Sequence, residues 1–204
     1  MDERLMMIEK DNLRGNTARK RPAAEKVLRS ASDLFYRNGI AATGVDTIVE
    51  HAGVSKRTLY NNFGGKDELV AAYLRDRDAR WRTSLEEITN RYEDPKERLL
   101  ATFEAYGEWL VGDDYRGCAF INAASEIADP DHPARAVALS HKKRVQEHLA
   151  SLAAQAGLHE PETLAEELLL LLEGAMVTAS MRKSQKSLNT ARATAQSLVG
   201  RSHT

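Results

Sequence analysis

Ser55, Lys56, Arg57, Thr58, Tyr60 and Asn61 crowd hydrogen-bonding side chains into one short stretch. Lysine and arginine donate to guanine edges or phosphates, and hydroxyl groups, including that of Tyr60, reach phosphates. This is the chemistry of recognition rather than of bond-making. The surrounding charge agrees with it. Residues 14–66 carry ten basic and four acidic side chains, a balance of +6 that leaves −7 for the rest of a chain whose net charge is −1. A basic segment on an acidic body suits a polyanionic partner, although a solvated charged surface would carry the same charges.

Signs of catalysis are lacking. The acids of Ser125-Glu126-Ile-Ala-Asp129 could pair, but no Gly-rich phosphate loop, nucleophile elbow or metal-ligand cluster is present. The expectation is a non-enzyme with no cofactor, no metal and no membrane partner. No apolar run approaches the roughly 18–20 residues of a membrane span. The single Cys118 forms no internal disulfide framework, which points to a reducing, cytoplasmic setting.

The elements that must position the polar stretch follow from periodicity. Pro22 suits a first helical turn, Val27, Leu28, Ala31, Leu34 and Phe35 recur at helical spacing, and Asn38-Gly39 ends the pattern. Thr43-Gly-Val-Asp46 reads as a capping box opening a short helix through Ile48 and Val49. A turn at Ala52-Gly53-Val54-Ser55 follows, with Ser55 capping a second short helix whose apolar side is Leu59, Tyr60 and Phe63. Two short helices joined by a tight glycine turn have the grammar of a helix-turn-helix, and an ordinary helical hairpin would share it.

Beyond Gly64-Gly65 a long helical pattern runs from Lys66 to Tyr92, broken by Asp94-Pro95. Further helices are expected at about 96–111, 119–128, 134–156, 161–182 and 187–199, giving an all-α chain of roughly nine helices. The expected divisions are a flexible arm over 1–20, a three-helix helix-turn-helix domain over 21–66, a connecting helix over 67–92 and a second helical domain over 93–204.

The run from Ala42 to Val70, with its opening Thr43, "AGVS", "TLY", a following Phe63 and "K-x-E-L", closely resembles the signature of the TetR family. The "LFYRNG" of the preceding helix fits the same pattern, while Asn62 departs from the histidine often found there. The resemblance implies a sequence-specific transcriptional regulator, most often a repressor, that binds double-stranded operator DNA as a homodimer. It implies phosphate contacts for Thr43 and Lys66 and backbone contacts for Thr58 and Tyr60, with Ser55 alongside. Thr47, Lys56, Arg57 and Asn61 are then the base-edge candidates. An architectural protein binding DNA without sequence preference is the competing class.

The resemblance also implies ligand binding and dimerisation over residues 93–204. Leu164, Leu168, Leu171, Leu172, Ala175, Met176 and Ala179 form one broad apolar stripe, and Leu188, Ala191, Ala195 and Leu198 a second. These are expected to pair with their copies across a two-fold axis, or else to be intrachain core. Phe103, Tyr106, Trp109, Leu110, Phe120, Asn122 and Met176 are candidate walls for an apolar or aromatic effector, with His141 as a polar anchor. For His141 and His148 packing is the alternative to ligand or metal binding, and for Cys118 a small core residue is the alternative to a redox sensor.

Overall fold

The computed structural model describes residues 22–201; the expected arm over 1–20 lies outside them. Among the described residues there are nine helices and no strand. The chain divides into two compact units after Tyr73. The first holds α1 (22–38), α2 (Val45–Ala52), α3 (Lys56–Phe63) and the start of α4 (Lys66–Thr89). The second holds the rest of α4, then α5 (Pro95–Gly112), α6 (Ala119–Glu126), α7 (Pro133–Gln155), α8 (Pro161–Arg182) and α9 (Lys186–Arg201). The division therefore falls inside α4, which contributes residues to both units and covers most of the span 67–92 expected of a connecting helix.

The first unit closes on Val27, Ala31, Phe35, Ile48, Leu59 and Leu69, all buried. Phe35 and Tyr73 meet with ring centroids 5.8 Å apart. In the second unit the proline signals act as helix starts. Pro95, Pro133 and Pro161 each open a helix, where a missing N–H leaves no bond unmade. Asp94 accepts from the Lys96 N–H ahead of α5, and His132 Nδ1 from the Ala134 N–H ahead of α7.

Leu99, Phe103, Leu110, Leu149, Leu168 and Leu172 are buried in the core of the second unit. Truncating any one of them to alanine should cost about 2–5 kcal/mol. The apolar stripes expected to pair between copies are largely part of this core: Leu164, Leu168, Leu172, Ala175, Met176, Ala179, Leu188, Ala191 and Ala195 are all buried within the chain. Leu171 and Leu198 pack against its edge. The reason is angular: each helix has one inward face, and these residues occupy it. The exposed apolar residues of α8 lie elsewhere, at Leu170, Val177 and Met181.

The loop between α5 and α6 turns through left-handed conformations at Asp114, Tyr115 and Gly117. Ser180 of α8 secures it by donating to the Tyr115 carbonyl at 2.7 Å. A Cβ added at Gly117 would stand 3.1 Å from Ser180 Oγ.

Candidate nucleic-acid interface and ligand cavities

Three local devices set the presentation of α3. Gly53 adopts φ 63°, ψ 40° and its N–H returns to the α2 carbonyls, so the chain reverses where a side chain would be strained. Ser55 caps α3 by accepting from the Thr58 N–H at 3.2 Å, and the two hydroxyls lie 2.9 Å apart. Leu59 is wholly buried and fixes which side of α3 faces inward. The opposite side then presents Lys56, Arg57, Tyr60 and Asn61, all exposed, with Ser55 exposed at the cap and Thr47 exposed on α2. Thr58 and Lys66 are half-buried. Asn62 donates back to the Thr58 carbonyl at 2.7 Å, and Phe63 is half-buried rather than core.

Lys56 is not idle. Its ammonium lies 2.5 Å from Asp46 Oδ1, and this hydrogen bond, with the accompanying charge, raises its pKa above the ordinary lysine value. Both side chains are exposed, so the pair is readily exchanged for another acceptor.

Thr43 departs from expectation. Gly44, not Thr43, is the N-cap of α2, and no side chain caps that helix. Thr43 is buried, and its hydroxyl donates to the Gly39 carbonyl at 2.7 Å and more weakly to Leu34. It completes the bonding at the end of α1, so its hydroxyl is engaged within the fold. Asp46 accordingly serves Lys56 rather than a capping box.

In the second unit a cavity of about 770 Å³ lies between α6, the following loop and α7. Phe120, Ile121, Ala124, Ala138 and Leu139 give it apolar walls, and Lys142 and Glu173, ion-paired at 3.0 Å, line it together with the polar Ser125, Asp131, His132 and Arg135. Burial works against the Lys142 charge, but Cys118, Tyr106 and Glu173 together outweigh it and raise its pKa. Lys142 Nζ also lies 3.6 Å from Cys118 Sγ, so that thiol sits beside a cation as well as the core.

A smaller cavity, about 210 Å³, lies between α4 and α7 and is lined by Asp78, Trp81, His141, Arg144 and His148, among others. His141 Nδ1 lies 2.7 Å from Asp78 Oδ1, while Arg144 and Arg82 reach the other oxygen at 2.8 and 3.2 Å. Burial pushes His141 down to about 4 despite its bond to Asp78. Burial, then the nearby Arg98 charge, lowers His148.

The expected effector walls are only partly assembled. Of the eight residues, Phe120 lines the larger cavity and His141 the smaller; the other six line neither. Phe103, Tyr106, Leu110 and Met176 are core. Trp109 packs edge-on against Trp81 and under the Arg77 guanidinium, which itself pairs with Asp113. Asn122 donates to the Arg116 carbonyl at 3.0 Å. His141 is a partner of Asp78 rather than a free anchor, and its ring stacks on Phe120 with centroids 3.6 Å apart. Ile121, Leu139, Lys142 and Glu173 went unread in the sequence because nothing local marks which sides of α6, α7 and α8 border a void.

The two ends of the chain match known families independently. Residues 27–73 match the profile described as "Bacterial regulatory proteins, tetR family", and residues 95–195 that of the "Tetracyclin repressor-like, C-terminal domain". The chain belongs to the TetR family. It is 26% identical over 178 residues to the HTH-type transcriptional regulator YjdC of Escherichia coli, covering 86% of this chain and 92% of that protein. It is 30% identical over 119 residues to the HTH-type transcriptional activator FasR of Mycolicibacterium smegmatis, covering 58% and 54%. A crystal structure of a TetR-family regulator from Streptomyces coelicolor superposes with a TM-score of 0.83 at 27% identity, covering 89% of this chain and 96% of that one. The protein is therefore a transcriptional regulator of the TetR family with a DNA-binding helix-turn-helix, and not an enzyme. Members of the family bind operator DNA and act as dimers. No helix among the described residues is long and apolar enough to cross a membrane.

Proposed function

We propose that this protein is a cytoplasmic repressor that binds an operator as a homodimer and leaves it when a small apolar or aromatic molecule fills the 770 Å³ cavity. The observation that carries the reading is the outward face of α3, where a buried Leu59 and a Ser55 cap leave Lys56, Arg57, Tyr60 and Asn61 free of the core. Lys56, Arg57, Asn61 and Thr47 are assigned to base edges. Tyr60, Thr58, Ser55 and Lys66 are assigned to the phosphate backbone. The self-association surface is the outer side of α8, where Leu170, Val177 and Met181 are exposed. What supports the effector reading is the apolar share of the lining, Phe120, Ile121, Ala124, Ala138 and Leu139 among it, set among the polar Ser125, Asp131, His132, Arg135, Lys142 and Glu173.

Control runs through α4, one unbroken helix with Lys66 at its start and Asp78, Trp81 and Leu85 further along. A two-fold dimer must seat both recognition helices in successive major grooves, so a small shift weakens binding sharply. The test is operator footprinting combined with transcription of the target in cells lacking the protein. An inverted repeat with half-sites about one helical turn apart or somewhat more is expected, and transcription should rise on deletion. Transcription that falls on deletion would make the protein an activator, as FasR is named. Equal affinity for operator and random DNA would support the architectural class instead.

A further inference from the structure

A carboxylate stands where a DNA-reading face has least use for one. Asp46 lies in the first turn of α2, beside the exposed Thr47. Across the turn its Oδ1 meets the Lys56 ammonium at 2.5 Å, with the two side chains 74% and 58% exposed. A pair this open adds little to the fold. Nor does it strengthen attraction to phosphate. Helices α2 and α3 carry Asp46 and Glu50 against Lys56 and Arg57, a balance of zero, so the +6 of residues 14–66 lies wholly outside them.

From this exposed carboxylate–ammonium pair between α2 and α3, we infer that Asp46 is a specificity-determining residue: it accepts from the N4 amine of a cytosine while Lys56 donates to N7 and O6 of the guanine paired with that cytosine.

Asp46 acts here only through a Lys56 that reads a base, as proposed above. The N-terminal residues of a recognition helix contact base edges, and Lys56 is the first residue of α3. Its contact with the ammonium carries Asp46 to the same place. Donors and acceptors suffice without opening the pair. An ammonium has three N–H donors, and a carboxylate has about four lone-pair positions. One donor goes to Asp46, and two are left for the guanine acceptors. The order along the groove also fits. A G·C pair presents acceptor, acceptor and donor, whereas adenine puts its N6 amine where guanine has O6 and would meet the ammonium donor to donor. Guanine O6 and cytosine N4 are themselves hydrogen-bonded at about 2.9 Å, close to the spacing of the Lys56–Asp46 pair. Because the pair is neutral as a unit, it gains little from phosphate alone, and its preference goes to the base pair that matches it.

The test is selection of binding sites by the full-length protein from a random duplex library, followed by affinity measurements on the enriched sequence. The wild type should enrich an inverted repeat with a G·C pair fixed at one particular position of each half-site. Asp46→Ala and Lys56→Ala should each relax that position and leave the others fixed. Changing that pair to A·T should weaken the wild type by at least about tenfold and Asp46→Ala by less than about threefold. The double variant should discriminate no worse than Asp46→Ala alone, because the two residues read as one unit. Glu50→Ala, which removes another exposed carboxylate of α2, should leave the enriched sequence unchanged.

Full discrimination by Asp46→Ala, or relaxation at a position other than the one Lys56→Ala relaxes, overturns the inference while the base-edge assignment of Lys56 stands. Equal weakening by Asp46→Ala on the operator and on random duplex overturns it by making Asp46 a structural residue. Relaxation of the same position by Glu50→Ala reduces the effect to charge alone and overturns it too. A wild type that enriches no sequence, or a Lys56→Ala that relaxes no position, defeats the base-reading assignment and this inference with it.

Discussion

Helices α3 and α7 treat their polar residues in opposite ways. In α3 a single buried leucine anchors the helix, and its lysine, arginine, tyrosine and asparagine are left outside. In α7 a histidine and a lysine turn inward, each against a carboxylate from another helix: His141 against Asp78 and Lys142 against Glu173. The first helix keeps its hydrogen-bonding capacity for a partner. The second spends its capacity inside the fold, so its polar residues hold helices together and shape the cavities beside them. Polar residues on α3 should therefore govern affinity for DNA with little effect on stability, and those around α7 should do the reverse.

The largest effect that would break this contrast lies at Asp78. Asp78→Ala leaves His141 without its partner and removes the shared carboxylate of Arg82 and Arg144. A loss of about 3 kcal/mol is expected on chemical denaturation, with the two half-exposed guanidiniums partly recovering hydration. A loss below about 1 kcal/mol would show that α7 does not depend on inward pairing.

His141 makes the second prediction. Burial lowers its folded pKa to about 4, below the 6.5 of the unfolded chain. The unfolded state then binds the proton first, so the stability held above pH 6.5 is lost as pH falls toward 4. About 3 kcal/mol is expected from this group across that window. His141→Gln should flatten the stability profile between those values, and an unchanged slope would mean that another group is responsible.

On α3, Lys56→Ala should weaken cognate operator binding by roughly ten- to a hundredfold in competition assays while leaving random DNA nearly unaffected. Equal loss on both would move Lys56 to the phosphate contacts. Ser55→Ala, which removes the cap of α3, should show the smallest effect, about 1 kcal/mol in thermal unfolding.

The contrast also explains what the sequence disclosed. The helix-turn-helix was legible because its devices are local: Ser55 caps a backbone N–H three residues away, and Gly53 turns the chain where it stands. Thr43 was misread because the capping pattern forward to Asp46 looked complete, whereas its hydroxyl bonds backward to Gly39. In the second unit the helix starts expected near 96, 134 and 161 fall within one residue of the observed ones, where Pro95, Pro133 and Pro161 open the helices. The side each helix buries was not legible, since α8 is leucine-rich on several sides and only packing distinguishes buried Leu168 and Leu172 from exposed Leu170. The partnership of Asp78 with His141 spans 63 positions and leaves no local mark.

The loop between α5 and α6 constrains how this lineage can drift. Gly117 combines φ 83° with a Cβ position only 3.1 Å from Ser180 Oγ, so a side chain there meets backbone strain and a contact tight enough to push Ser180 aside. Trimming Ser180 would relieve the crowding but release the Tyr115 carbonyl that its hydroxyl holds. Neither residue can change first without loss, and changing both still leaves the strain. The pair is an epistatic lock, and substitutions should accumulate around it far sooner than in it.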